Sequence, residues 1–250
     1  MIKVFIDPHY EYLRPWIEGL HESFCKEGSV IYKGRNVVRK IVVAGENLIV
    51  KRYKKPNFFQ RLAYSVWRKS KAVRAFLYAG RLNDMGVDSP AGIGAVEVYE
   101  NLLFSYGYFI SSECTYPSLK SLLGNPDFES HIDMAEALAG FVAHLHELGI
   151  LHGDLNLSNI LYSFDADGCP HFTVIDTNRS RFVSNPGVHE CLDNMKRITH
   201  NRRLLEVVVR KYSAVRGLDG EDCVKYIMKR LDEFERRKRL KRRIFKKNKK

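Results

Sequence analysis

Apolar residues recur along this chain with two different periods, and the change from one to the other outlines its architecture. Between residues 28 and 53 the pattern alternates, so Ser29 to Tyr32, Val37 to Val43 and Leu48 to Tyr53 read as three strands, broken at Gly34-Arg35-Asn36 and Ala44-Gly45-Glu46-Asn47. A helical period follows Ser70, a residue suited to cap the helix it precedes. Val73, Phe76, Leu77 and Gly80 form the inner face of a helix expected from Lys71 to Asp84 and ended by Gly86. Tyr99 to Cys114 predicts two further strands turning around Glu100-Asn101. Residues 130–148 predict a long helix with Ile132, Ala135, Leu138, Ala139, Val142 and Leu145 on one stripe, and Gly149 stops it. Near the end, Val224, Ile227, Met228, Leu231 and Phe234 are spaced by three or four, an amphipathic helix that would dock on the body.

The residues with chemistry sit just beyond the long helix. His152-Gly153-Asp154-Leu155-Asn156-Leu157-Ser158-Asn159 is followed by an apolar run ending in Thr173-Val174-Ile175-Asp176. In kinase-type phosphoryl transfer an Asp accepts the proton of the acceptor hydroxyl, an Asn five residues on holds magnesium, and a second Asp holds magnesium against the nucleotide phosphates. Asp154, Asn159 and Asp176 occupy those positions. Catalysis of this kind comes mostly from placing charges, so Asp154 and Asn159 must share one rigid loop while Asp176 arrives on a separate strand. Lys51 lies on the third strand, where a kinase lysine reaches the α- and β-phosphates of ATP. The turn containing Gly34, Arg35 and Asn36 would cover the phosphates, although a full G-x-G-x-x-G is missing. The link through Ser111-Ser112-Glu113-Cys114 would pass the adenine edge, which puts Glu113 among the nucleotide-binding residues. His144 and His146 are two apart on a helix and face different ways, which argues against a metal pair.

These elements predict an α+β, protein-kinase-like two-lobed fold. A small antiparallel-sheet N-lobe spans about 1–113, a mainly helical, shortened C-lobe 114–235, and a basic tail 236–250, all in one domain of 250 residues. With 45% apolar and 12% aromatic residues, the chain can bury a substantial core. No signal pattern opens it and no stretch is long and apolar enough to span a membrane. Cys25, Cys114, Cys169, Cys191 and Cys223 are scattered without a C-x-x-C pair and read as reduced cytosolic thiols rather than zinc ligands.

Charge changes the picture at the two ends. Eleven Lys or Arg and no acid lie from Arg236 to Lys250, so nearly all of the net charge of +12 belongs to the tail. No acid occurs from Asn47 to Asn83 either, where Lys51, Arg52, Lys54, Lys55, Arg61, Arg68, Lys69, Lys71 and Arg74 are interleaved with Tyr53, Phe58, Phe59, Tyr64 and Trp67. Basic side chains mixed with aromatic rings suit an anionic membrane surface, and both regions are expected to dock there. Nucleic acid is the less expected partner for the same charge.

The chain resembles the lipopolysaccharide kinases of Gram-negative bacteria, which phosphorylate Kdo or heptose of the inner core. The resemblance rests on His152-Gly153-Asp154-Leu155-Asn156-x-Ser158-Asn159 with Ile175-Asp176-x-Asn178-Arg179-x-Arg181-Phe182, and covers about residues 28–235. It extends to the Ile31-Tyr32-Lys33-Gly34-Arg35-Asn36 loop, the Leu48 to Lys51 strand and the helix start at Ser70-Lys71-Ala72. It implies ATP with Mg2+, a lipid-anchored sugar acceptor and a peripheral position at the cytoplasmic face of the bacterial inner membrane. Residue by residue, it implies Asp154 as base, Asn159 and Asp176 as metal ligands, Lys51 as the phosphate-pairing lysine, and Arg179 and Arg181 near acceptor anions. One departure stands out. The resemblance implies an acid near Leu77 to pair with Lys51, and none is present.

Other classes share parts of the pattern. A small atypical Ser/Thr protein kinase, of the kind attached to the tRNA-modifying complex, also has a His-Gly-Asp loop and a basic tail. Only 74 residues follow Asp176, however, without an Ala-Pro-Glu segment to build a peptide platform. Antibiotic and choline phosphotransferases share the loop but have no need of the basic regions. A nucleotide-binding pseudokinase is supported only by the missing acid at Leu77.

Overall fold

The computed structural model describes residues 1–247, with side chains through Lys241. The chain divides into two units, one formed by residues 1–115 with 174–179, the other by residues 116–173 with 180 onward.

The first unit is built on a six-stranded antiparallel sheet. Its elements are β1 (Ile2–Ile6), α1 (Arg14–Ser23), β2 (Ser29–Lys33), β3 (Val37–Val43), β4 (Glu46–Arg52), α2 (Phe58–Val66), α3 (Lys71–Asp84), β5 (Gly92–Glu100) and β6 (Leu103–Ser112), and the strand order is β1-β5-β6-β4-β3-β2. Ala44 and Gly45 both take positive φ, 51° and 84°, the pair that a tight hairpin turn requires to match the twist of β3 and β4. Strand β1 and helix α1 extend the expected sheet. Their signal is faint because Pro8 cuts the alternation of Ile2, Val4 and Ile6 short and only Ile17 and Leu20 of α1 are buried.

Side chains on a strand point to opposite faces in turn. Leu48 and Val50 of β4 therefore enter the core beneath α1 with Ile17, Leu20 and Ile110, while Lys51 between β3 Val38 and β6 Phe109 faces the other way. That second face is covered by α3 through Ala72 and Val73, packed with Tyr53 and Ala95. Helix α3 starts where expected, with the Ser70 hydroxyl accepting from the Val73 N–H at 3.3 Å. It ends with Gly86 at φ 75°, the Val87 N–H donating to the Leu82 carbonyl at 2.9 Å. Its inner face differs from the expected one: Ala72, Val73, Ala75, Ala79 and Leu82 are buried, whereas Leu77 and Gly80 are exposed. Small alanines let the helix lie close to the sheet, and this rotates Leu77 outward.

The second unit is mainly helical. It comprises α4 (Leu119–Leu123), α5 (Ile132–Glu147), β7 (Ile150–Leu151), β8 (Ile160–Phe164), β9 (Pro170–Val174), β10 (Arg181–Phe182), α6 (Val188–Met195), α7 (Arg202–Val215) and α8 (Gly220–Lys247), with β8 paired to β9 and β7 to β10. Leu138, Val142 and Leu145 of α5 pack with Leu205, Val208 and Val209 of α7 and with Ile227 and Leu231 of α8. Ile132 of the expected stripe is exposed, since it sits at the first position of α5.

Gly149 takes φ 75° after α5, and a Cβ there would lie 2.1 Å from the Val183 carbonyl oxygen, so only glycine lets the chain turn into β7. Helix α8 continues without a break into the basic segment that the sequence marks as a tail. It is held to α6 by Arg230, which donates to both carboxylate oxygens of Asp193 at 2.6 and 2.9 Å. The side chains of residues 242–250, and the backbone of 248–250, lie outside the described residues.

Candidate active site

The loop after β7 is held by its own side chains. The Asn156 and Asn159 amide groups both donate to the Asp154 carbonyl at 2.9 Å, and the Asn156 side-chain oxygen accepts from the Ser158 N–H at 3.0 Å, starting the 3-10 turn Leu157–Asn159. With its nitrogen committed to the loop, Asn159 presents its amide oxygen elsewhere. Leu155 and Leu157 are buried on either side and anchor the loop to the helical core. The Asp154 carboxylate is paired with Arg197, Oδ1 to Nη1 at 2.8 Å. Arg197 lies just past α6 with no motif around it, so sequence reasoning missed it.

Behind this loop runs a polar chain that is exposed at Gly153 and becomes buried at His146. The Gly153 N–H donates to the Asn194 side-chain oxygen at 3.0 Å, the Asn194 amide nitrogen lies 3.0 Å from His146 Nε2, and His146 Nδ1 lies 2.9 Å from the Tyr212 hydroxyl. An amide nitrogen can only donate, so this arrangement assigns Nε2 as acceptor and places the imidazole proton on Nδ1. Burial, reinforced by the nearby Arg216 cation, pushes the His146 pKa down to about 3. Neutral His146 thus links α7, α5 and α6 to the backbone before Asp154. The sequence reading rejected it as a metal ligand and had no signal for this role.

In the first unit, Lys51 Nζ lies 2.8 Å from Asp176 Oδ1, and the same oxygen accepts from the Asn178 amide at 2.5 Å. The lysine that lacks an acid near Leu77 therefore takes Asp176 itself as partner. Asp176 adopts φ 59°, a left-handed conformation uncommon for a non-glycine residue and typical of sites whose surroundings over-determine the backbone. Cations gather here. Burial lowers the Lys71 pKa, Arg35, Arg179 and Arg74 lower it further, and Asp176 opposes them. Arg74 Nε is buried with no hydrogen-bond partner among the described residues. Burial, followed by the Asp176 charge, raises the Tyr53 phenol well above its ordinary value. Lys71 and Arg74, expected in a membrane-facing region, lie at the start of α3, which packs against the Thr177–Arg179 turn, and Lys71 there feels the charges of both Arg74 and Asp176.

The remaining expected residues have further partners of their own. Arg35 and Asn36 line a groove of about 290 Å³ with Arg52 and Lys54, and the Asn36 side chain accepts from the Lys54 N–H at 3.1 Å. The Gly34 N–H closes the turn on the Asn36 carbonyl at 3.0 Å. The Glu113 carboxylate is paired with Lys40 at 2.6 Å and its N–H donates to the Asn47 carbonyl, so both groups serve the sheet. Arg179 belongs to the first unit and Arg181 to the second, where it pairs with Glu190 at 2.5 Å. Among the described residues no group of three His, Cys, Asp or Glu could hold a metal. Asp176 carries a carboxylate oxygen and Asn159 an amide oxygen, each of the hard type that magnesium takes, and they belong to different units.

A model of the lipopolysaccharide kinase (Kdo/WaaP) family matches residues 24–212. The chain belongs to this family. It is accordingly an ATP-dependent kinase. The match contains Lys51, Asp154, Asn159, Asp176 and Arg197, and leaves β1 and α8 outside. A curated relative, the KEOPS complex subunit Bud32 of Pyrococcus abyssi (strain GE5 / Orsay), is 28% identical over 207 residues, spanning 80% of this chain and 84% of its own. A solved structure of WaaP in complex with acyl carrier protein aligns with a TM-score of 0.62 at 15% identity, over 92% of this chain and 98% of that one. Its likeness establishes the protein-kinase-like fold of this family member.

Proposed function

We propose that this kinase transfers the γ-phosphoryl group of ATP to a hydroxyl of a lipid-anchored inner-core sugar, Kdo or heptose, at the cytoplasmic face of the inner membrane. The observation that carries this reading is the family match over residues 24–212, within which all four expected machinery residues fall. The acceptor hydroxyl gives its proton to Asp154 as its oxygen forms the new bond to phosphorus, and the bond from phosphorus to the β-phosphate oxygen breaks. Lys51, Lys71 and Arg74 of the first unit supply positive charge for the nucleotide phosphates, where the Lys-Glu pair of other kinases is replaced by Lys51 with Asp176. Asp176 and Asn159 would each offer an oxygen to magnesium, which when bound neutralises phosphate charge.

Membrane attachment is supported by α2. Phe59, Val66 and Trp67 are 70 to 80% exposed and Phe58 and Leu62 add to the same surface, flanked by Lys54, Lys55, Arg68 and Lys69. Tyr64 by contrast is buried against Phe104, so α2 presents one apolar stripe outward. No described helix is long and apolar enough to cross a membrane, which leaves surface attachment as the mode this helix favours.

Incubation of the full chain with ATP, magnesium and Kdo-lipid A should add one phosphate to the sugar, read by mass spectrometry. No gain on Kdo, on heptose or on their lipid-linked forms would refute the acceptor assignment. The Bud32 relative keeps a second reading in view, phosphorylation of a protein hydroxyl. Incorporation of phosphate into the chain itself or a protein acceptor, with none into sugar, would favour it.

A further inference from the structure

Next to the Asp154 loop, and within the second unit alone, lies an open cavity of about 660 Å³ walled by Gly153, Arg181, His189, Asn194, Arg197 and Tyr226 among others. Its size suits one or two sugar rings. The chemistry of its wall is mixed in a way that matches a sugar. The His189 and Tyr226 rings stack on one another at 4.3 Å with 6° between their planes, giving an aromatic surface for the C–H face of a ring. The Glu190 and Asp193 carboxylates, whose oxygens can each accept more than one hydrogen bond, supply acceptors for hydroxyls.

Three cations stand in the same wall, and their partners differ. Arg181 is paired with Glu190 at 2.5 Å and Lys196 with Asp193 at 3.5 Å, and both acids are wall residues themselves. Arg197 is paired at 2.8 Å with Asp154, which is not a wall residue. Its guanidinium also lies 5.4 Å from the Phe234 ring, another part of the wall. Arg197 is therefore shared between the cavity and the residue assigned as base, and its exchange is the one that an anion entering the cavity can drive.

We propose that this cavity holds the acceptor, that the acceptor is a sugar bearing a carboxylate or phosphate, and that this anion draws Arg197 away from Asp154. The proposal rests on the reading of the chain as a sugar kinase with Asp154 as base. A guanidinium binds a carboxylate or phosphate with two parallel hydrogen bonds, which makes the incoming group a competent rival for the Asp154 carboxylate. A neutral sugar leaves Arg197 on Asp154. An acidic one frees Asp154 to receive the hydroxyl proton, so acceptor charge acts as a specificity check.

Binding of free Kdo, glucose 6-phosphate and glucose to the full chain, followed by calorimetry or ligand-observed NMR, tests this without any need for turnover. At least one acidic sugar should bind ~10-fold or more tightly than glucose, as expected for a charge-assisted bidentate contact. Preference for Kdo assigns a carboxylate, preference for glucose 6-phosphate a phosphate. Arg197→Gln should remove the preference for acidic over neutral sugar. Asp154→Asn should strengthen acidic-sugar binding, because Arg197 loses its competitor; a merely structural ion pair would give unchanged or weaker binding, and this arm stands even if Arg197→Gln fails to fold. Equal affinity for acidic and neutral sugars, or no gain in Asp154→Asn, overturns the proposal. Acidic-sugar binding without phosphorylation would sink the sugar-kinase reading and leave the cavity assignment standing, whereas phosphorylation without charge preference would do the reverse.

Discussion

Two residues show how differently a side chain can matter to the same loop. Asp154 is the group assigned to take the proton, so Asp154→Asn should lower kcat by roughly 10²- to 10⁴-fold while ATP affinity stays within about 2-fold, checked by steady-state kinetics and nucleotide titration. His146 touches no reacting atom and acts through Asn194 on Gly153. Its folded pKa is depressed to about 3, against roughly 6.5 in the unfolded chain. Below the unfolded value only the unfolded state takes up that proton, so the contribution is fully present above pH ~6.5 and is lost as pH falls towards 3, by up to about 1.4 kcal/mol per pH unit. Urea titrations at pH 7.5 and 5 should show a larger loss of stability in the native chain than in His146→Gln, whose amide can replace both hydrogen bonds without taking up a proton. An equal loss would remove His146 as the source. At this scale the sequence named Lys51, Asp154, Asn159 and Asp176, because their chemistry is tied to fixed local spacing. It left Arg197 and Asn194 unnamed, since each meets the loop from about 40 positions away with nothing in its neighbourhood to mark it.

Elements divide the mixed basic and aromatic stretch into two separate surfaces. The sequence of residues 51–74 reads as one interfacial region, but β4, α2 and the start of α3 divide it. Lys51 pairs with Asp176, Tyr53 packs under α3, Lys71 feels the charges of Arg74 and Asp176, and only α2 with its flanks presents Phe58, Phe59, Leu62, Val66 and Trp67 outward. Burying one Phe or Trp is worth about 1.5–3 kcal/mol, so placing glutamate at both Phe59 and Trp67 should weaken binding to anionic vesicles by at least ~10-fold. Co-sedimentation measures this, and unchanged far-ultraviolet circular dichroism would show that α2 still folds. Vesicle binding equal to that of the native chain would leave the stripe without a membrane role. Helix boundaries followed caps and glycines closely, as at Ser70, Gly86 and Gly149. Helix faces followed less well. Leu77 was expected inward and lies outward because the alanines of α3 permit a close approach that hydrophobicity by itself does not rank.

For the molecule as a whole, charge is the property that spans its parts. The net +12 is concentrated after Glu235; to Lys247 this segment continues α8, which Arg230, Arg202 and His200 tie to α6, to α7 and to the link before α7 through Asp193, Asp232 and Glu235. Removal of residues 236–250 should weaken vesicle binding, and high salt should weaken the native chain to a similar extent, because each basic residue near an anionic surface contributes about 1 kcal/mol that is screened beyond ~10 Å at 0.1 M. Salt-insensitive binding would assign attachment to α2 alone.

The sequence by itself determined the periods of its strands and helices, the glycines and caps that end them, and the loop whose Asp and Asn are five residues apart. All of these are local, fixed by backbone geometry and short-range hydrogen bonding. Only the tertiary structure decided that Lys51 pairs with Asp176, that α3 turns cations rather than an acid toward it, and that Arg197 stands between Asp154 and a cavity. Those are contacts between positions far apart in the chain, set by which faces pack together, and no short-range pattern encodes them.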